Sequence, residues 1–201
     1  MTLSNDTKRI IKKAYGIILR NAFNDDEQHR DVEPLIRFVE RCGFFTARSY
    51  SHHRYSGGAV QHCIEVMLWS LGNKNPERLS SWVIVTLLHD LCDTYGFTGH
   101  GRDGGKSVFM IEECAHFPLT DDEREAIHYH MMCDMRTLPI KTQNSIKANN
   151  PFWKTLKRND CRSAAQGSSQ ELLSEEKFCK TVDEFLEKRN WKRVCQTRQN
   201  E

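Results

Sequence analysis

Two stretches of the chain carry side chains that can do chemistry. The first is Leu87-Leu88-His89-Asp90-Leu91, where a carboxylate stands inside an apolar run beside an imidazole. A buried charge is costly unless a partner neutralises it. A divalent ion, bound by Asp90 and His89 together, is an economical partner. Adjacent helical residues diverge by about 100°, so the pair can share one ion only where the helix ends. The second stretch, His52-His53-Arg54-Tyr55-Ser56-Gly57-Gly58-Ala59-Val60-Gln61-His62, enters a helix through paired glycines and sets His62 one turn inside it. Of nine histidines only His29 lies outside residues 52–130, so the chemistry belongs in that interval.

These residues need rigid elements to hold them. Apolar spacing is helical nearly throughout, and no strict alternation long enough for a strand occurs, so the chain is expected to be all-α. The spacing predicts helices over residues 5–21, 27–42, 58–71, 76–91, 106–116, 151–165 and 170–189, with a less regular stretch over 137–150. A further helix is predicted after Thr120, with Thr120 as N-cap and Glu123 as its capping-box partner. The helix from Pro76 is apolar on all sides and is expected at the centre. Residues 92–105 hold five glycines and read as a functional loop.

At this point the sequence resembles the HD-domain superfamily of metal-dependent phosphohydrolases. That family's pattern is a helix-borne His, a later His-Asp pair and a distant Asp. His62, His89, Asp90 and, within FWKTLKRNDCRSAA, Asp160 fall in that order. GGAVQH is similar to the GGLxEH entry of one bacterial and phage subgroup, and GHGRDGGKSV and LTDDEREAIHYHM extend the likeness over about residues 45–165.

The resemblance implies an HD helical bundle with N-terminal helices over 1–44, a metal-binding core over 45–165, and a C-terminal helix and frayed tail over 166–201. It also implies a divalent ion of the Mn, Fe, Ni, Co, Mg or Zn type, held by His62, His89, Asp90 and Asp160. Two imidazoles and two carboxylates leave coordination positions open, as hydrolysis of a phosphate ester requires. Some family members hold a second ion. Here that role falls to His100, with Asp103 as the alternative at that place, and to His130, while His128 points elsewhere. Asp90 and His130 are the expected catalytic groups.

For the substrate, Lys106 at a helix start after the glycine loop and Arg102 within it are expected to contact phosphate. His52 and His53 are expected to reach the cleft from the glycine entry, or to serve as caps. The implied partner is a small phosphorylated molecule such as a nucleotide. The alternatives are a catalytically reduced module that binds a nucleotide or protein, and an RNA-processing phosphodiesterase, whose relatives carry an added domain not visible here. One departure stands out: where many relatives place Lys after the pair, this chain has Asp93.

Composition narrows the rest. The 29 Lys+Arg against 27 Asp+Glu give a net charge of +2, which argues against a nucleic-acid-coating role. Mean hydropathy is −0.65. The N-terminus lacks a signal-peptide pattern and no apolar run approaches a membrane span, so a cytoplasmic protein is expected. Eight cysteines without a C-x-x-C pair are expected to be reduced and mostly buried.

Overall fold

A computed structural model describes residues 3–49, 52–72, 76–95, 104–168 and 175–191. Among these the protein is all-helical, with ten α-helices and no strand. In chain order they are α1 (Asn5–Phe23), α2 (Glu33–Arg41), α3 (Gly58–Leu71), α4 (Leu79–Leu88), α5 (Gly104–Phe109), α6 (Asp121–Tyr129), α7 (Met132–Met135), α8 (Ile140–Asn149), α9 (Trp153–Ser168) and α10 (Glu175–Lys188). Short 3-10 turns lie at Phe44–Thr46 and Leu91–Tyr95.

The helix α4, LSSWVIVTLL, is buried at every position from Val83 to Leu88 and takes the central place its composition calls for. It packs against α1, α3 and α6, and α3 packs against both α4 and α9. Tyr15 of α1 reaches in to donate its hydroxyl to the Leu87 carbonyl at 3.1 Å, beside the end of α4. One cluster of buried apolar side chains runs from Leu3 to Leu186 and draws on α1, α2, α3, α4, α6, α9 and α10. Each fully buried Leu, Ile or Phe in it contributes about 1.5–3 kcal/mol. This cluster holds α3, which carries His62, and α4, which leads into His89.

Several boundaries differ from the sequence expectation, each for a local reason. Residues 27–32 are not helical: the Asp26 carboxylate accepts from the Arg30 amide, His29 has φ 52°, and α2 starts at Glu33 with a proline in its first turn. The fourth helix begins at Leu79 rather than Pro76, because Arg78 adopts a left-handed conformation. The helix expected at 106–116 starts at Gly104 and widens at Met110–Cys114 into a π turn, closed by Ala115 N–H donating to the Met110 carbonyl. The capping box at Thr120 and Glu123 forms as expected. Asn150 starts α9 by accepting from the Phe152 and Trp153 amides.

The cysteines depart from expectation. Of the seven described, only Cys63 is buried, while Cys114, Cys133 and Cys161 are exposed on outward helix faces. All seven are unbridged. Among the described residues no helix is long and apolar enough to cross a membrane.

Candidate metal centre

Three segments converge behind the glycine entry. Gly57 has φ 88°, a conformation that favours glycine, and its amide donates to the Ala47 carbonyl at 3.1 Å. A Cβ on Gly58 would run into the His53 carbonyl, so the second glycine lets the backbone at His53 lie directly on the start of α3. This pairing brings His52 and His53 against His62, with ring centroids 4.5 Å and 5.5 Å from it. From the second segment, α4 stops at Leu88 and His89 and Asp90 occupy the loosened turn before Leu91–Tyr95. The pair therefore sits at the helix end, where two adjacent residues can turn toward one point. The third ligand-bearing segment is the middle of α9, which supplies Asp160.

His62, His89, Asp90 and Asp160 each place one ligand atom within 4.8 Å of the others. His62 Nε2 is the hub, 3.2 Å from His89 Nε2, 3.4 Å from Asp90 Oδ2 and 3.3 Å from Asp160 Oδ1. Both imidazoles are fully buried, and Asp160 is nearly so. The two carboxylates are divided alike. Each turns one oxygen to the cluster and the other to a nitrogen outside it: Asp90 Oδ1 meets His130 Nε2 at 3.2 Å, and Asp160 Oδ2 meets Lys157 Nζ at 3.2 Å.

The electrostatics follow from this packing. Burial drives the His89 imidazole down to about 4, with His130 and His62 adding to the effect against Asp90, so His89 is neutral and has a lone pair to give. Its Nδ1 lies 3.0 Å from the Thr86 carbonyl, which can only accept; Nδ1 therefore carries the proton and Nε2 is bare toward the cluster. Burial would raise both carboxyl groups, yet the histidines outweigh it and hold Asp90 and Asp160 well below the usual carboxylate range. His62 and His130 go the other way: burial lowers them, but their carboxylate neighbours raise them above the ordinary imidazole value.

The sequence-derived site residues meet different fates. His62, His89, Asp90 and Asp160 come together as the resemblance implies. His130 closes α6 and touches Asp90 from outside the four, with its Nδ1 2.6 Å from the Ile127 carbonyl. His128 stacks on Tyr129. His100, Asp103 and Arg102 lie outside the described residues. At the helix start around Lys106, where a phosphate contact is expected, the Gly104 amide that opens α5 donates to Asp134 Oδ2, and buried Ser107 accepts from the Cys92 amide. Asp93 is not among the converging ligands.

His52 and His53 are buried inside the site rather than at its surface, and with His62 they form a second group of three ligand atoms within 4.8 Å. The two groups share His62, whose Nδ1 is 2.9 Å from Ser163 Oγ. With Nδ1 against Ser163, His62 has Nε2 as its remaining ring nitrogen. Burial, with His62 and His53 beside it, holds His52 neutral at about 3, against Asp90 and Asp160.

Sequence reasoning missed Glu65, Ser163 and Lys157. A signal for Glu65 was present: it is a carboxylate in the apolar helix GAVQHCIEVMLWSL, one turn from His62, and so open to the same reasoning that singled out Asp90. Comparison of the chain with protein-family models, with curated proteins and with solved structures returns no match. What the geometry provides by itself is a buried pair of imidazoles and a pair of ionised carboxylates around one point. This donor set suits a divalent cation.

Proposed function

We propose that the protein is a metal-dependent phosphohydrolase of the HD type, acting on a phosphate ester of a nucleotide or similar small molecule. The observation that carries the metal part is the convergence of His62, His89, Asp90 and Asp160 from three helical segments onto one point within 4.8 Å. The motif resemblance carries the phosphate-ester part. His62, His89, Asp90 and Asp160 would hold the ion, and a divalent ion supplies a Lewis acid that makes water a nucleophile near neutral pH and balances charge on phosphoryl oxygens.

The chain's own residues then have distinct tasks. Asp90 offers Oδ2 to the centre while His130 Nε2 fixes Oδ1, so the carboxylate plane is set from both ends. His130 is placed to hold a proton at Nε2 beside the reacting region. Lys157 keeps Asp160 turned inward and, with a side chain 23% exposed, brings a cation to the rim where a phosphate would approach. The buried walls of α3 and α4 limit access of bulk water.

The test has two arms. Mass spectrometry of the purified protein is expected to find a divalent ion that His89→Ala and Asp90→Ala lose; unchanged content in those variants would refute the centre. The wild type with Mn, Ni or Co is expected to turn over at least one of the nucleoside mono-, di- and triphosphates, cyclic nucleotides and bis-p-nitrophenyl phosphate. Metal binding with no turnover of any of them would support the binding module instead.

A further inference from the structure

Behind His62 runs a buried chain of hydrogen bonds that ends on one carboxylate. Ser163 Oγ lies 2.9 Å from His62 Nδ1 and 2.8 Å from Glu65 Oε2. His53 Nε2 lies 3.2 Å from the same Oε2, and His53 Nδ1 is 3.1 Å from His52 Nδ1. Gln61 donates its amide to Glu65 Oε1 at 3.0 Å and accepts from the Tyr55 hydroxyl at 2.8 Å. Ser163 is fully buried, and Glu65, His53 and His52 are at most 5% exposed.

Counting protons gives this chain a direction. An ionised carboxylate has no proton to give, and Glu65 receives from Gln61, Ser163 and His53. Ser163 has one hydroxyl proton, and at 2.8 Å from a carboxylate oxygen it must point there. The serine oxygen is then an acceptor toward His62, so the proton between them sits on His62 Nδ1. In the neutral ring, the form that can bind a metal, this leaves the lone pair on Nε2, the atom that faces His89, Asp90 and Asp160. The same logic on the other arm puts the His53 proton on Nε2 and makes its Nδ1 the acceptor from His52 Nδ1–H.

From this we infer that Glu65 is a positioning residue which, through Ser163, keeps a proton on His62 Nδ1 and so presents Nε2 to the ion. The inference deepens the metal reading and rests on it for its purpose, though the direction of the hydrogen bonds stands without an ion. A histidine ligand whose second nitrogen is anchored by an oxygen is held in the correct tautomer and ring orientation, and loss of such an anchor costs 10–100-fold in metal affinity. Glu65 and Ser163 are not catalytic residues on this account, because neither touches the converging ligand atoms or a substrate.

Two measurements test it. In the metal-free protein, nitrogen-15 NMR of the histidine rings, with His62 assigned by the loss of its signals in His62→Gln, is expected to find Nδ1 protonated at every pH at which the fold persists. A His62 ring with a bare Nδ1 overturns the inference, whether or not the protein binds metal. Titration with Co2+ is then compared between wild type and Ser163→Ala, which removes one oxygen from a buried site and is checked for folding by circular dichroism. The expected result is a 10–100-fold weaker affinity with the fold intact. A folded Ser163→Ala that binds Co2+ as tightly as wild type overturns it. If the wild type binds no Co2+, the metal reading fails, and the NMR result alone decides the direction of the chain.

Discussion

The molecule buries two clusters that each contain a pair of carboxylates, and they are closed differently. In one, Arg30 lies between Asp26 and Glu123 with side chains at 4%, 2% and 0% exposure. Its guanidinium gives two bonds to each carboxylate, at 2.7–3.1 Å, and its face rests on Phe23 and Phe117. In the other, the outer oxygens of Asp90 and Asp160 meet His130 and Lys157, while the inner oxygens face only the ring nitrogens of His62 and His89. The Arg30 cluster carries its own cation at its middle. The histidine cluster has at its middle no permanent cation but imidazoles, which can give up a proton and offer a lone pair, so its donor set could hold a metal ion. Buried pairs of carboxylates alone therefore do not make a candidate metal centre; what fills the space between them decides.

The largest effect is expected from breaking the closed cluster. Arg30→Met leaves two buried carboxylates without their partner and is expected to cost about 3–5 kcal/mol of stability, read as a lower urea midpoint, with or without metal. Arg30→Lys keeps the charge and loses the bidentate fork, and falls between. A fall for Arg30→Met under about 1 kcal/mol would mean that the cluster is no more than an exposed pair in effect. The open cluster is expected to respond to a metal ion instead. Saturating divalent ion, at about 100-fold over its Kd, is expected to raise unfolding stability by about 2.7 kcal/mol, and a chelator to remove that increment. The increment should persist in Arg30→Lys and vanish in Asp160→Asn. Its survival in Asp160→Asn would place the ion elsewhere.

Acid separates the clusters further. Burial would raise the Asp26 carboxyl, but hydrogen bonds from Arg30 and Ser80 prevail and hold it down from the ordinary 3.8 to about 2. A carboxyl depressed in the folded state adds stability that is present in full above its unfolded value and is lost as pH falls through the folded one. In the chelated protein, the stability difference between wild type and Asp26→Asn is therefore expected to be constant near neutrality and to shrink from about pH 4 down to about pH 2. A difference that stays level through that window would show that Asp26 is not held ionised by Arg30.

The sequence read these two clusters unequally. His62, His89, Asp90 and Asp160 were legible because their order resembles a family's pattern, and α3 was legible to the residue because Gly57-Gly58 and Gly72 punctuate it. The Arg30 cluster was not. Arg30 and Glu123 are 93 positions apart, and the segment holding Arg30 reads as helix by composition until Asp26 and Pro34 are seen to end and restart the chain direction. Ser163 was missed for the same reason: its bonds span 101 positions to His62 and 98 to Glu65, and a serine has no composition signal of its own, whereas Glu65 did carry a local signal as a carboxylate in an apolar helix. Local punctuation is written in neighbouring residues, whereas the partner of a buried polar group is set by packing.

Within the open cluster the two imidazoles offer the finest comparison. His89 is anchored by the main-chain carbonyl of Thr86 and His62 by the side chain of Ser163. A main-chain carbonyl remains whatever side chain its residue carries. Thr86→Ala removes a hydroxyl that only returns to the Trp82 and Val83 carbonyls of its own helix, so the carbonyl at 3.0 Å from His89 Nδ1 should stay where it is. Its Co2+ affinity is expected to stay well inside the roughly 10-fold loss that marks the bottom of the range for removing a ligand's anchor. Ser163→Ala should fall within that range, although each substitution removes one hydroxyl from a fully buried position. Equal losses in the two variants would mean that buried hydroxyls matter here through packing. Unequal losses in the expected order would tie the difference to which nitrogen of each ring is held, and by what.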